Sequence, residues 1–455
     1  MINRATQPPA LPKRDELHSV RTLRIVLYLL LFAAAAEFVL RAPLRYLQFT
    51  NWSDLSQNYA ATRIWLRGQN FADPENFVTL WRTEVHSTLD AHTGRTHLAP
   101  PPGTLVLMAP IGALPWPAAK IAWLVVLLVS FALTVWALIN VAGFRAGSPG
   151  GSPRPILSLV KDPRIIAFVA ACLALAPFHT GIAAENQTIL VVALCTLGIW
   201  AATGRRDLAA GLLFGAACSL KPHLGTFIVL YFLLRRRWRL FATAIAFTAL
   251  LALIAIAWMQ ICSVSWRADY FHNVKVLATE NKIDDFTAAN PIRFMLINLQ
   301  VPFYSFTHQA KSANLLALST AAVLLALWIY LVLRHSARAP ELLSLAAVAV
   351  ITLLPVYHRF YDASLLAIPL CWSLTALGGR LRHVARAALV LMLPFLVPGA
   401  AILQQAVFNH RIPASLSESW AWDGFVMPHQ SWLLLALVVL LLYALARESN
   451  PESAA

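Results

Sequence analysis

The chain has 455 residues, of which 59% are hydrophobic and only 13% are charged. Soluble domains carry roughly 25% charged residues, so this composition excludes a soluble protein of two or three ordinary domains. Apolar runs recur from end to end, and many approach the roughly 20 residues that a helix needs to cross a bilayer. A transmembrane β-barrel is excluded, because barrels are built from short alternating segments. We therefore expect an all-α polytopic membrane protein.

The net charge of +15 does not indicate a nucleic-acid partner. Lysines and arginines lie mostly in short clusters between the apolar runs, a pattern typical of cytoplasmic loops. The five cysteines show no CxxC pair and no metal-binding spacing, so we interpret them as small buried hydrophobic residues. The first apolar run follows Arg21 and Arg24 without a cleavage pattern, which indicates a retained membrane anchor.

The apolar runs predict about twelve membrane-spanning helices. In chain order the predicted spans are 22–40, 118–142, 164–180, 187–203, 207–220, 223–235, 238–259, 312–334, 340–357, 362–379, 386–404 and 431–447. The spans 207–220 and 223–235 are too short to cross untilted and alternatively form a helical hairpin buried among their neighbours. With the N-terminus inside, nearly all the excess positive charge falls on the cytoplasmic side, including the basic cluster 235–239. Both termini are therefore expected to be cytoplasmic.

This topology predicts a single transmembrane domain over residues 22–447, between cytoplasmic tails at 1–21 and 448–455. Three long outer loops are predicted at 41–99, 260–311 and 405–430. The apolar segment 100–117 is interrupted by prolines, which break a helix, so it predicts a helix lying at the outer interface or dipping into it.

A polar helix start follows the first span. Asn51 or Ser53 can cap a helix that ends at Gly68. Asp54 then lies in the first turn, and Asn58 shares its face. A carboxylate at the outer membrane surface can act as a general base towards a hydroxyl group. Helix capping alone is the alternative function for Asp54 on this segment.

Lys221 lies between two apolar runs, far in sequence from any other charged residue. An ionisable residue in such a place needs a partner or a polar cavity, and it is a candidate functional residue. The alternative is a side chain that extends to the outer lipid headgroups.

A tight polar turn, residues 357–362, separates two later spans. Arg359 offers a bidentate fork and His358 an adjustable donor, a combination that suits a phosphate group. The alternative is an ion pair between Arg359 and Asp362, with the two tyrosines at the membrane interface. The polar turn 185–187 either contacts a sugar or simply ends a span.

The first outer loop also contains His86, His92 and His97. Their spacing fits no compact metal site, so we expect surface residues and no bound metal.

An ordered set of short motifs runs along the chain. It consists of Asp54 with Tyr59 and Gly68, Ala99–Gly103, Ala109-Pro110, Leu114-Pro115, Trp123, Asn186-Gln187, Ala210-Gly211, Ser219–Pro222, the cluster Arg235–Arg239, and Leu354-Pro355 with His358 and Tyr361. In order and spacing the set resembles glycosyltransferase family 87, a group of integral-membrane transferases of the GT-C type. The resemblance extends over about residues 22–380. Asn186 stands where the family often has glycine.

The resemblance implies a GT-C-type bundle of about twelve transmembrane helices, with short helices in the extracytoplasmic loops. It implies an inverting transferase that moves a hexose, with mannose favoured, from a polyprenyl-phosphate sugar to a lipid or glycan acceptor. The reaction is expected at the outer face of the plasma membrane, the inner membrane of a bacterium, among membrane lipids. No cofactor is implied.

The resemblance also gives the candidate residues their roles. Asp54 corresponds to the proposed catalytic base, and Lys221 and His358 correspond to the Lys-Pro and late histidine motifs. Lys221 and His358 are expected to bind the donor phosphate, and the guanidinium chemistry of Arg359 adds this residue to them. The remaining candidates are expected to contact substrate, and they are Asn58, Tyr59, Glu185, Gln187, His223, Tyr361 and Asp362.

The alternative function is a transporter or flippase for a lipid-linked glycan, which twelve spans also fit. Transporters commonly contain structural repeats with broken helices at the membrane centre. Here the polar residues gather at the outer ends of the spans, which favours the transferase.

Overall fold

The computed structural model describes residues 14–48, 53–85, 97–143, 162–277, 284–334 and 341–448, with the backbone alone for 14–21. The regular secondary structure of these residues consists of helices joined by loops. The extended pairing found among them is a single isolated bridge between Leu296 and Arg359. The expectation of an all-α protein is therefore confirmed for the described part of the chain.

The described residues form 21 α-helices. In the first half they are α1 (Arg14–Arg41), α2 (Pro43–Gln48), α3 (Asp54–Leu66), α4 (Pro74–Leu80), α5 (Pro102–Gly112), α6 (Trp116–Val141), α7 (Pro163–Ala174), α8 (Ala176–Ala183), α9 (Thr188–Thr203), α10 (Asp207–Leu220) and α11 (Pro222–Leu234). In the second half they are α12 (Trp238–Ile261), α13 (Arg267–Leu277), α14 (Gln300–Thr307), α15 (Ala310–Arg334), α16 (Glu341–Thr352), α17 (Ala367–Ala376), α18 (Arg382–Met392), α19 (Gly399–Phe408), α20 (Ala414–Ser417) and α21 (His429–Glu448). Single 3₁₀ or π turns occur at Trp81–Val85, Arg293–Met295, Phe360–Leu366, Leu393–Leu396 and Trp422–Val426.

Five of the described helical segments are long and apolar enough to cross a membrane. They are Thr22–Gln48, Trp116–Val141, Trp238–Ile261, Ala310–Arg334 and His429–Glu448. The bent pairs α7–α8, at 46°, and α18–α19, at 41°, raise the number to seven if each is one span. Every predicted span coincides with a helix or a helix pair. The structure thus supports a membrane protein with five to seven candidate spans, and the count of twelve stays a prediction.

Helix α3 forms as its sequence predicts. Ser53 is the N-cap: its hydroxyl accepts a hydrogen bond from the Ser56 amide at 3.1 Å, and the Ser56 hydroxyl accepts from the Ser53 amide at 3.0 Å. This reciprocal pair satisfies two amide groups that a helix start otherwise leaves open. Gly68 follows the end of the helix with a φ of +67°, a conformation that glycine adopts without strain. Because Ser53 caps the helix, Asp54 is fixed in its first turn.

Small residues allow the helices around the site to pack closely. Gly211 and Gly215, one turn apart on α10, face α12. A Cβ atom on them would lie 2.7 Å from the Leu240 carbonyl oxygen and 2.8 Å from that of Ala244. Two glycines spaced by four residues permit this backbone approach in a membrane-embedded helix pair.

The interrupted segment 100–117 folds as α5 followed by a short turn. Pro115 precedes α6 and Pro110 lies inside α5. Helix α5 packs against α3 and α12. The segments predicted to be outer loops carry short helices: α13 and α14 lie within 260–311, and α20 lies within 405–430. The side of the membrane on which they lie stays a prediction. The domain bounds themselves, with the tails at 1–21 and 448–455, stay a prediction.

Candidate active site

A polar cavity of about 230 Å³ lies where the start of α3, the α8–α9 turn, the α10–α11 break and the 357–362 turn meet. Its walls are formed by Asp54, Gln57, Asn58, His97, Leu98, Ala99, Pro100, Asn186, Gln187, Lys221, Leu277, Asp284, Tyr357 and Tyr361. The cavity therefore brings together residues that the sequence separates by up to about 300 positions.

Asp54 enters the cavity from the N-terminus of α3, where the helix dipole favours a negative charge. Its Oδ2 atom accepts a hydrogen bond of 2.5 Å from the Asn186 side-chain amide. Asn186 is itself fixed, because its oxygen accepts from the Thr188 amide at 2.8 Å. Within the described residues no donor reaches Oδ1 of Asp54. The arrangement orients one carboxylate oxygen and leaves the other available to a ligand.

Glu185 holds the start of α3 in place from outside the cavity. It is 1% exposed, accepts a hydrogen bond from the Ser53 hydroxyl, and pairs with Lys120 at 3.3 Å. Its backbone has a φ of +59°, and its carbonyl accepts from the Trp123 indole at 2.9 Å. Burial raises the pKa of Glu185, and the Ser53 hydroxyl and the Lys120 charge oppose that rise. The geometry gives Glu185 a positioning role beneath Asp54.

Lys221 lies at the break between α10 and α11. The break occurs there because Pro222 starts a new helix. Its ammonium group donates to the Thr188 hydroxyl at 2.6 Å and to Asp362 Oδ1 at 3.0 Å. The same group lies 4.8 Å from the centre of the Tyr361 ring. Lys221 is thus paired within the protein and also borders the cavity. It does not extend to the headgroup region as a solvated side chain, since it is 8% exposed.

Asp362 is the partner that Lys221 requires. It is fully buried, and its second oxygen, Oδ2, accepts from the Arg359 backbone amide at 3.1 Å and lies 3.3 Å from His358 Nδ1. The alternative ion pair between the Arg359 side chain and Asp362 is absent from the ion pairs of the described residues. The carboxylate instead joins the α10–α11 break to the 357–362 turn.

Arg359 is not among the residues that line the polar cavity, but it contacts one of them. Its Nε donates to the Tyr357 hydroxyl at 3.0 Å. It lines a second, mainly apolar cavity of about 160 Å³, together with Phe294, Met295 and Tyr361. Because Tyr361 borders both cavities, a polar chamber and an apolar chamber share one wall.

The predicted site residues divide into three sets. Those that line the polar cavity are Asp54, Asn58, Gln187, Lys221 and Tyr361. Those that lie behind its walls are Tyr59, Glu185, His223, His358 and Asp362, whereas Arg359 borders the apolar cavity. The Tyr59 hydroxyl donates to the Leu114 carbonyl at 2.9 Å, and the His223 ring packs against the His358 ring at 4.9 Å.

One group of possible metal ligands lies beside the site. His223, His358 and Asp362 place their donor atoms within 4.8 Å of one another. The Lys221 ammonium group already contacts this carboxylate, which opposes a second cation there. Of the three first-loop histidines, His97 borders the cavity, and His86 and His92 lie outside the described residues.

Asn186, Asp284 and Tyr357 border the cavity but were not among the predicted site residues. Asn186 and Tyr357 belong to polar turns that the sequence does reveal. Asp284 lies within the long segment 260–311, and nothing in its local sequence separates it from neighbouring Asp285. Asn186 reaches the site through a contact that spans 132 positions. Asp284 and Tyr357 reach it because distant segments of the chain pack around the same cavity.

The family model for glycosyltransferase family 87 matches residues 100–356, more than half of the chain. The chain belongs to glycosyltransferase family 87. This finding confirms the resemblance and identifies a membrane glycosyltransferase, in preference to a transporter. The matched region of this family 87 chain includes Asn186, Lys221 and Asp284, while Asp54 precedes it and Tyr361 follows it. Among curated proteins, none matches the chain.

Proposed function

We propose that this chain transfers a hexose, with mannose favoured, from a polyprenyl-phosphate sugar to a lipid or glycan acceptor, with inversion at the anomeric carbon. One observation carries the proposal: a carboxylate, Asp54, and an ammonium group, Lys221, border the same cavity. A single displacement needs a base on one side of the sugar and positive charge on the other.

Asp54 is the base in this proposal. Its unoccupied Oδ1 takes the proton of the acceptor hydroxyl while that oxygen forms a bond to the anomeric carbon. The bond from the anomeric carbon to the phosphate oxygen breaks, and its electron pair leaves with the phosphate. The hydrogen bond from Asn186 to Oδ2 orients the carboxylate for this step. General-base catalysis of this kind contributes about 10²–10⁴-fold to a rate.

Lys221 stabilises the leaving phosphate, which gains one negative charge when the bond breaks. Asp362 fixes the ammonium group, and Thr188 takes one of its donor positions. His358, also bonded to Asp362, lies behind Lys221 and extends the same network. We therefore assign His358 and Asp362 to positioning Lys221, and a direct phosphate contact to Lys221. The scheme uses no cofactor and no metal.

Arg359 supplies the second positive charge. A guanidinium group at the border of a mainly apolar cavity suits a phosphate that is attached to a hydrocarbon chain. The sugar then occupies the polar cavity, and Tyr361 separates the sugar from the polyprenyl chain. A donor that already resides in the membrane supports a location at a membrane surface. We place the site at the outer face of the plasma membrane, with both termini cytoplasmic.

Asn58, Gln187 and Tyr361 are the proposed sugar contacts. All three border the polar cavity. Gln187 donates to the Leu220 carbonyl at 3.0 Å through its nitrogen, while its buried oxygen has no partner in the described part of the chain. An unsatisfied buried acceptor of this kind matches a sugar hydroxyl.

The proposal is tested with purified protein in lipid nanodiscs, using polyprenyl phosphate that carries radiolabelled mannose and an extract of cell-envelope lipids as acceptor. Transfer of label to an acceptor, with inverted anomeric configuration by NMR, is expected. Asp54→Asn should lower the transfer rate by about 10²–10⁴-fold.

Asp73→Asn is the matched control. Asp73 caps α4, accepts from the Glu75 amide at 3.0 Å, and lies outside the cavity walls. Asparagine is an equally good cap, so this variant should keep the wild-type rate. Equal rates for Asp54→Asn and the wild type would remove Asp54 from the base role. Failure of the wild type to transfer label from any polyprenyl-phosphate hexose would overturn the donor assignment.

A further inference from the structure

The polar cavity contains a second carboxyl group, Asp284. It comes from the second outer loop and borders the cavity together with Asp54 and Lys221. Tyr357 borders the cavity beside it. The Oδ1 atom of Asp284 is buried and has no hydrogen-bond partner among the described residues. Asp284 also forms no ion pair within that part of the chain.

Positive charge dominates the electrostatic surroundings of Asp284. Arg359 acts most strongly on the carboxyl group, and Lys221 also favours its charged form. Arg359 Nε donates to the hydroxyl of Tyr357, which borders the cavity beside Asp284, at 3.0 Å. Asp284 is therefore under the influence of both cations assigned to the donor phosphate.

An unpartnered carboxylate oxygen in a protein interior costs free energy, and native structures contain few such atoms. Burial raises the pKa of Asp284 to about 6, although Arg359 and the Tyr357 hydroxyl oppose the rise. The carboxylate form is an acceptor only, so the missing partner must be a donor. In a cavity that receives a sugar, the hydroxyl groups are the matching donors.

We propose that Oδ1 of Asp284 accepts a hydrogen bond from a ring hydroxyl of the transferred sugar, and that Asp284 thereby selects the donor hexose. This inference rests on the function proposed above. It gives the two carboxylates of the cavity different partners: Asp54 contacts the acceptor hydroxyl, and Asp284 contacts the donor sugar. A site that is built to bond a hydroxyl discriminates strongly against an analogue that lacks it.

The test measures donor binding, which does not depend on turnover. Polyprenyl-phosphate mannose and its 2-, 3-, 4- and 6-deoxy analogues are titrated against the protein in nanodiscs. For the wild type, one deoxy analogue should bind roughly 10- to 100-fold more weakly than the parent, the size of a hydrogen bond to a charged group. For Asp284→Ala, the parent and that analogue should bind equally.

Asp285→Asn is the matched control one residue away. Asp285 bonds within its own loop, to the Thr287 amide at 2.8 Å and its hydroxyl at 2.9 Å, and does not border the cavity. The Asp285→Asn variant should discriminate among the analogues as the wild type does. Asp284→Leu, which nearly keeps the side-chain volume and offers no acceptor, provides a second variant if Asp284→Ala does not fold.

Three outcomes would overturn the proposal. The first is a variant at position 284 that still discriminates against the same analogue as the wild type. The second is loss of folding in both variants, which would make Asp284 a structural residue. The third is a wild type that transfers and binds every analogue equally, in which case the proposed transferase function stands and the assignment of Asp284 fails. A wild type that neither binds nor uses the parent donor overturns the proposed function itself.

Discussion

The buried pair of Lys221 and Asp362 allows the stabilising role of a charge to be separated from its catalytic role. The two groups are 3.0 Å apart, with side chains 9% and 0% exposed. Replacing Lys221 by methionine keeps the length of the side chain and removes the charge. Asp362 is then left as a buried carboxylate without its cation. Its remaining polar neighbours are the Thr188 hydroxyl at 2.6 Å, His358 Nδ1 at 3.3 Å and the Arg359 amide.

Breaking a buried pair in this way costs about 3–5 kcal/mol. The shift in melting temperature is this loss divided by the entropy of unfolding, which scales with chain length. For a chain of this size the melting temperature should fall by about 3–5 °C. The double variant Lys221→Met/Asp362→Asn carries no buried charge at this position, so it should recover most of the loss. Activity should not recover, because the double variant still lacks the cation assigned to the leaving phosphate.

The stability effect is measured as the melting temperature in nanodiscs, which size-exclusion chromatography with tryptophan fluorescence detection reports. Activity is measured with the labelled-mannose assay. Lys311→Met is the control, since Lys311 is exposed on α15 and should change neither quantity. Equal melting temperatures for the single and double variants would refute the reasoning about the buried charge. Wild-type activity in the double variant would refute the phosphate role of Lys221.

Two further predictions concern the residues around Asp54 and Asp284. Glu185→Ala removes the acceptor of the Ser53 hydroxyl, so Asp54 is misplaced and kcat should fall by about 10- to 100-fold with the donor KM unchanged. Glu185→Gln should restore kcat, because its amide oxygen still accepts from Ser53. A fall in both variants would indicate that the charge rather than the hydrogen bond matters. The pKa of Asp284 is raised to about 6, so its carboxylate fraction grows as the pH rises. Donor affinity should therefore increase up to about tenfold between pH 5 and pH 7. The same profile in Asp284→Asn would exclude Asp284 as its origin.

Local patterns in the sequence were sufficient to predict the elements that carry the site. Helix α3, its Ser53 cap and its end before Gly68 follow from capping preferences that act within a few residues. The break at Lys221 follows from the proline after it. The requirement for a partner of Lys221 was also predictable, because an isolated charge in an apolar setting needs one.

The identity of each partner could not be predicted in the same way. The contact between Asn186 and Asp54 spans 132 positions, and that between Lys221 and Asp362 spans 141. Such contacts depend on how whole helices pack, which local patterns do not encode. Glu185 shows the consequence: its polar turn suggests a sugar contact, while the fold places it beneath α3 with Lys120. Its buried position is decided by packing against α6.

The position of Tyr361 between the two cavities has a consequence for protein engineering. If the proposed donor occupies both compartments, a replacement there alters preference for the saccharide and preference for the isoprenoid tail together. The two preferences can be varied separately at residues that line one compartment alone, such as Asn58 in the hydrophilic one and Ala401 in the lipophilic one. Redesign towards a new glycan or a new carrier should begin at such positions.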